Sequence, residues 1–307
     1  MIAHQQKILV MGSCFAEHIG SLLKVYKFDA LVNPYGILYH PLAIAAALEE
    51  LVLGKVYTEA DLIQHEGIWH SMQHHGRFSG LGADEVAANI NEEAKKGHEL
   101  ISTAEWLVIT LGSNYLYRMN GKPVANCHKL PASKFEKELT ESATLLARYH
   151  SLITTLRSVN PKLKILFTVS PVRYIRDGIV ENNRSKARLL ELAHTLCEKF
   201  EHIYYFPSYE LVIDVLRDYR FYDADMAHPN EQAVEFVWEH AKKILFSKET
   251  QQLISQLKEL LNAMGHRPFL IETSAHQAFR NKMFEKSKTL KAQYPFLNLE
   301  GEMEFFQ

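Results

Sequence analysis

Lys7-Ile-Leu-Val-Met-Gly-Ser-Cys-Phe-Ala16 decides the fold. The apolar run to Met11 reads as a strand buried on both faces, and Gly12 ends it. A helical pattern follows, so Ser13 and Cys14 lie at a strand–helix turn, where an α/β sheet gathers its reactive groups. Working outward, strand-like runs recur at 106–111, 163–169 and 202–206. Helical patterns separate them at 83–102, 133–158 and 184–200, and another helix starts at Pro229. In the third of these, Ala187, Leu190, Ala193, Cys197 and Phe200 read as the apolar face, with Cys197 in the core. Strands buried on both sides and spaced by such helices predict an α/β fold: a mostly parallel sheet covered by helices.

Residues 57–80 break the pattern with His, Gly and aromatics, and read as an inserted loop or small β element. Two further helical patterns, 248–264 and 273–290, are split by Gly265-His-Arg-Pro268. The expected division is 1–247 for a catalytic α/β domain and 248–307 for a helical C-terminal extension.

A chain of 307 residues that is 47% hydrophobic and 23% charged can bury a core, which excludes a disordered or fibrous protein. Lys+Arg 34 against Asp+Glu 36 leaves no basic surplus for phosphates, so nucleic acid is not expected as a partner. No apolar run is long enough for a bilayer, and the start has none of the regions of a signal peptide. Three cysteines, Cys14, Cys127 and Cys197, make no disulfide framework and fit a reducing cytoplasm.

Four segments fall at strand–helix junctions: 12–16, Gly112-Ser113-Asn114, Ser170-Pro-Val-Arg173 and Asp225-Met-Ala-His228. Together they contain what covalent acyl transfer needs: a nucleophile, a base, an orienter for the base and oxyanion donors. Pro229 disfavours the α conformation at His228, so Asp225–His228 reads as a turn in which the carboxylate reaches back to one imidazole nitrogen. Simple helix capping by these two residues is the competing reading, and Asp223 is a rival orienter. Arg173 could clamp an anionic part of a substrate or form an ordinary ion pair. His65, His70, His74 and His75 cluster in the insertion; the glycines there oppose a helical zinc site, and a loop with one histidine on substrate is expected instead. His128, in Asn126-Cys-His-Lys129, is a further candidate for substrate contact.

These blocks carry a resemblance. Lys7–Ala16, Asn33-Pro-Tyr-Gly36, Gly112-Ser113-Asn114 and Asp225-Met-Ala-His228-Pro229 are similar, in order, to the blocks of the SGNH/GDSL hydrolase superfamily. Gly12-Ser-Cys-Phe-Ala16 is the signature of its GSCFA family, and Ser170–Arg173, Ser185-Lys186 and 217–222 also look like that family. The resemblance implies a three-layer, flavodoxin-like α/β/α fold and acyl-ester chemistry. The expected substrate is a small acyl ester, with a carbohydrate-linked one among the candidates, and no cofactor or metal is expected. It implies that Gly36 supplies an N–H and Asn114 an amide to the oxyanion hole, that Gly112 lets the backbone turn beside Asn114, and that Asp225 and His228 are orienter and base. The superfamily's Gly-Asp-Ser, laid on Gly12-Ser13-Cys14, puts the serine position on Cys14; a one-residue shift would use Ser13 instead. Ester hydrolysis is the first expectation, with acyl transfer and a non-catalytic acyl- or sugar-binding module as alternatives.

Overall fold

β1 (Ile8–Gly12) is buried at every position and leads through Ser13 into α1 (Cys14–Val25). β2 (Ala30–Val32) and α2 (Pro41–Leu53) follow, with Pro41 in the first turn and Gly54 closing the helix in the left-handed conformation. The insertion is a small hairpin of β3 (Ile63–His65) and β4 (Ile68–His70), as its composition suggested. Next come α3 (Ala83–Ile101), β5 (Trp106–Leu111) and an antiparallel element of β6 (Tyr115–Met119), β7 (Lys122–Val124) and β8 (Glu136–Leu139). The chain continues through α4 (Ser142–Val159), β9 (Lys164–Val169), α5 (Ile179–Lys199) and β10 (Ile203–Tyr205). A short α6 (Ser208–Glu210) runs into a π-helical turn, and α7 (Glu231–Leu245) completes the layer. Last are α8 (Lys248–Gly265), α9 (Ser274–Gln293) and α10 (Glu300–Phe306). The computed structural model describes residues 1–267, 269–270 and 272–307; Pro268, read as part of the break between α8 and α9, lies outside them.

The main sheet is five-stranded and parallel, in the order β10-β9-β5-β1-β2. From β1 the chain first adds β2 on one side and then returns to add β5 on the other. That reversal is the topological switch of doubly wound folds, and it leaves a crevice beyond the carboxyl ends of β1 and β5.

Alternation along β1 builds two cores. Leu9 and Met11 face α2–α5, while Ile8 and Val10 face α1 and α7. The second core also takes Leu253, Leu257, Met283, Leu290 and Phe306, so the C-terminal helices share it with α1 and α7. No helix among the described residues is long and apolar enough to cross a membrane.

Two helical readings need correction. The pattern from 133 to 158 is helical only from Ser142; Phe135 and Leu139 belong to the β8 strand and its approach. Glu136-Lys-Glu-Leu139 pairs with β6, and this non-local pairing overrides the helical spacing of its two apolar residues. In α5 the buried face is Asn182, Ser185, Lys186, Leu189, Leu192, Ala193 and Leu196. Ala187 is exposed and Cys197 only half-buried at the edge of the core.

Candidate active site

Gly12 sets the turn. Its φ is +139°, and a Cβ there would sit 2.2 Å from the Thr110 carbonyl oxygen of the adjacent strand, so only glycine lets β1 bend this way. The Gly12 N–H donates to Asn33 Oδ1 (2.8 Å) and the Ser13 N–H to the Thr110 carbonyl (3.1 Å). Ser13 occupies the N-cap position without capping: its hydroxyl is fully buried and has no hydrogen-bond partner among the described residues. Cys14 is the first residue of α1. Ala16 and Glu17 return their N–H groups to the Ser13 carbonyl, whereas those of Cys14 and Phe15 have no carbonyl acceptor among the described residues and act on the Cys14 sulfur.

Half-buried, Cys14 borders a cleft of about 390 Å³ at the switch point. The cleft is also lined by Tyr39, Gly112, Ser113, Cys127, Arg173 and His228, and among the described residues no Asp or Glu lines it. Cys14 and His228 also meet at a smaller neighbouring cavity, beside His18 and Asp223. Burial pushes the Cys14 thiol above its ordinary range; the backbone N–H of Phe15 and the charge of Lys186 pull the other way and do not overcome it.

His228 is oriented as its spacing suggested. Its Nδ1 lies 2.6 Å from Asp225 Oδ2, while Asp225 Oδ1 accepts the N–H groups of Ala227 (2.9 Å) and His228 (3.0 Å). These donors hold the Asp225 carboxyl down to about 2, the His228 and Ala227 backbone N–H groups contributing most. With Nδ1–H on the carboxylate, the neutral ring has its Nε2 lone pair free. The capping reading does not apply: Asn230 caps α7, its Oδ1 accepting the Ala233 N–H at 3.2 Å. Asp223 instead donates its backbone N–H to the His228 carbonyl (2.8 Å) and closes the same turn.

Gly36 and Asn114 are not brought to the cleft. The Gly36 N–H donates to the Asn33 carbonyl at 2.7 Å within its own turn, and a Cβ at this φ of +74° would strike His75 Cβ at 2.2 Å. Asn114 is wholly buried and its Nδ2 donates to the Thr140 carbonyl at 2.7 Å. Both hold the cleft's frame, as does Gly112, whose N–H meets the Tyr39 carbonyl (3.0 Å) while the residue itself lines the cleft. His75 and His128 line a separate cavity of about 730 Å³ with His65 and His70; Asn126 borders both cavities. His128 is tied there through Nε2 to the Ser71 carbonyl (2.7 Å). Among the described residues no cluster of His, Cys, Asp and Glu is disposed to hold a metal ion.

Arg173 does line the cleft. It lies over the rings of Tyr219 and Tyr222, and its Nη1 and Nε donate to their hydroxyls at 2.9 and 3.2 Å. Among the described residues neither Arg173 nor Arg176, also on the cleft, has a carboxylate partner. Three lining tyrosines, Tyr115, Tyr117 and Tyr174, come from β6 and the loop after β9, and sequence reading did not single them out. Lys186 was also missed as a site residue. The signal was a lysine in phase with the stripe Asn182, Leu189, Ala193, Leu196.

The family model described as GSCFA family matches residues 7–240, and that described as GSCFA domain protein, C-terminal domain, matches 257–307. No curated protein matches the chain. The first match spans the Gly12–Ala16 turn, the Arg173 loop, Lys186 and the Asp225–His228 turn, and on it the chain belongs to the GSCFA family.

Proposed function

We propose that this protein is an acyl-ester hydrolase of the SGNH kind that works through a thioester on Cys14. The observation that carries the reading is the pairing of positions at the switch point. Cys14 borders the cleft at a helix N-terminus and is half-exposed to it, His228 borders the same cleft with its Nδ1 on Asp225, and Ser13, which also lines the cleft, keeps its hydroxyl buried.

In the proposed reaction His228 Nε2 takes the thiol proton and the sulfur attacks the acyl carbonyl carbon. The carbonyl π pair moves to oxygen, and the N–H groups of Cys14 and Phe15, released as the sulfur gives up its charge, serve as its donors. As the oxyanion collapses, the C–O bond to the alcohol breaks and the alkoxide takes the proton from His228. Water, deprotonated by the same nitrogen, attacks the thioester, and the thiol is restored as the free acid leaves. Asp225 keeps the ring in one tautomer throughout and stabilises the imidazolium.

The cleft favours a substrate with an anionic part. Arg173 is already oriented by two tyrosine hydroxyls, and among the described residues no carboxylate competes for it. Its planar fork suits a carboxylate or phosphate. Turnover of 4-nitrophenyl acetate by Cys14→Ala, Ser13→Ala and His228→Ala tests the reading. Loss in the first and third with retention in the second is expected; retention in Cys14→Ala would overturn it.

A further inference from the structure

Lys186 lies under the floor of the cleft. It is 2% exposed, and its Nζ donates to the carbonyls of Gly112 and Ser170, each at 2.7 Å. Those carbonyls belong to the turns that end β5 and β9, and both residues line the Cys14 cleft. The Tyr209 ring lies 5.9 Å from Nζ. Among the described residues no carboxylate pairs with this ammonium, and the one ionisable group acting on it is Cys14. Taking a cation out of water costs several kcal/mol, and two neutral carbonyls offset only part of that. A neutral donor could tie two strand ends together equally well. An ammonium at this position has no carboxylate to balance it among the described residues, and the reaction proposed above forms an anion on Cys14, in the cleft that Gly112 and Ser170 line.

We propose that Lys186 is the buried counter-ion of the Cys14 thiolate, a positioning residue that acts through the nucleophile. The inference rests on the Cys14 reading of the site. The thiol proton goes to His228 Nε2 and Lys186 keeps its own. The negative charge then sits between the ammonium below and the helix N-terminus beside it, and it moves to the carbonyl oxygen as the S–C bond forms. Other groups around Cys14 do not replace Lys186. Glu17 of α1 opposes the thiolate, but its carboxylate accepts from Asn33 Nδ2 (2.6 Å) and lies 3.7 Å from Arg77. Tyr39, His18, His228 and Asp223 share the two cavities with Cys14.

The test is the pH profile of Cys14 alkylation by iodoacetamide, read on the Cys14 peptide by mass spectrometry so that Cys127 is counted separately. Lys186→Gln keeps an N–H donor for the two carbonyls and removes the charge; Lys186→Met removes both. Both variants are expected to move the thiolate midpoint up by at least one pH unit, a tenfold or greater slowing at pH 7. If Lys186→Gln gives the wild-type midpoint, Lys186 only fastens the strand ends and the proposal is overturned. A reciprocal measurement needs no Lys186 variant: the NMR titration of the Lys186 side chain should move to lower pH in Cys14→Ala, and an unchanged midpoint also overturns the proposal. Neither readout depends on ester turnover. Failure of the esterase reading would appear as absent Cys14-dependent hydrolysis, with the coupling between the two residues still measurable.

Discussion

His228 and Asp225 lie within one four-residue turn, and each has a separate consequence for the chemistry. His228→Ala removes the base and is expected to lower kcat about 10²–10⁴-fold on an activated ester. Asp225→Asn replaces an ionised acceptor that meets three donors, so the ring loses its fixed tautomer and kcat falls with little change in KM. Arg173→Met should raise KM about tenfold for an ester bearing a carboxylate, compared with its neutral counterpart measured on the same variant. Equal KM changes for both esters would remove Arg173 from substrate recognition. The turn was legible in the sequence because its hydrogen bonds are local, and Pro229 fixes the backbone that follows. Gly36 and Asn114 were not legible in the same way. Whether an N–H is free to reach a substrate depends on competing acceptors, and the Thr140 carbonyl that holds Asn114 comes from another part of the chain.

At the level of elements, the junction of β1 and α1 carries the site. Gly12→Ala would put a methyl group against the Thr110 carbonyl at a φ closed to L side chains, so destabilisation of about 2–4 kcal/mol is expected in urea unfolding. A shift below 1 kcal/mol would show that the turn relaxes. The central strands β1, β5 and β9 were readable because burial on both faces leaves continuous apolar runs. β6 and β8 were not, since their pairing joins residues about twenty positions apart and β8 is mostly exposed. The face of α5 was misassigned because Ser185 and Lys186 are polar residues turned inward, where Ser185 Oγ accepts the Asn114 N–H and Lys186 reaches the strand ends. That polar break in an apolar stripe marks the side of the helix that serves the site.

Across the whole molecule, buried ionisable groups set the pH range of stability. His4, His40 and His74 are almost fully buried, and burial lowers them to about 4, 3 and 3. In the unfolded chain histidines titrate near 6.5, so below that pH the unfolded chain binds protons that the native state does not. Stability is intact above about pH 6.5 and falls as the pH drops toward 4, with a slope approaching ~1.4 kcal/mol per pH unit for each histidine. Lys186 acts in a higher window. Burial lowers it to about 7, well below an unfolded lysine, so it makes stability rise from about pH 7 until the thiols of the unfolded chain titrate. Urea midpoints measured from pH 4 to 9 should show both slopes, and Lys186→Gln should lose only the upper one.

The central claim is that Cys14 carries the acyl group. Mixing the protein with an activated ester, quenching in acid within the first turnovers and mapping the peptides tests it directly. Acyl is predicted on the peptide containing Cys14, fragmenting to the sulfur and removed by neutral hydroxylamine as a thioester, with longer occupancy in His228→Ala once formed. Acyl on Ser13, or unchanged ester turnover in Cys14→Ala, would contradict it.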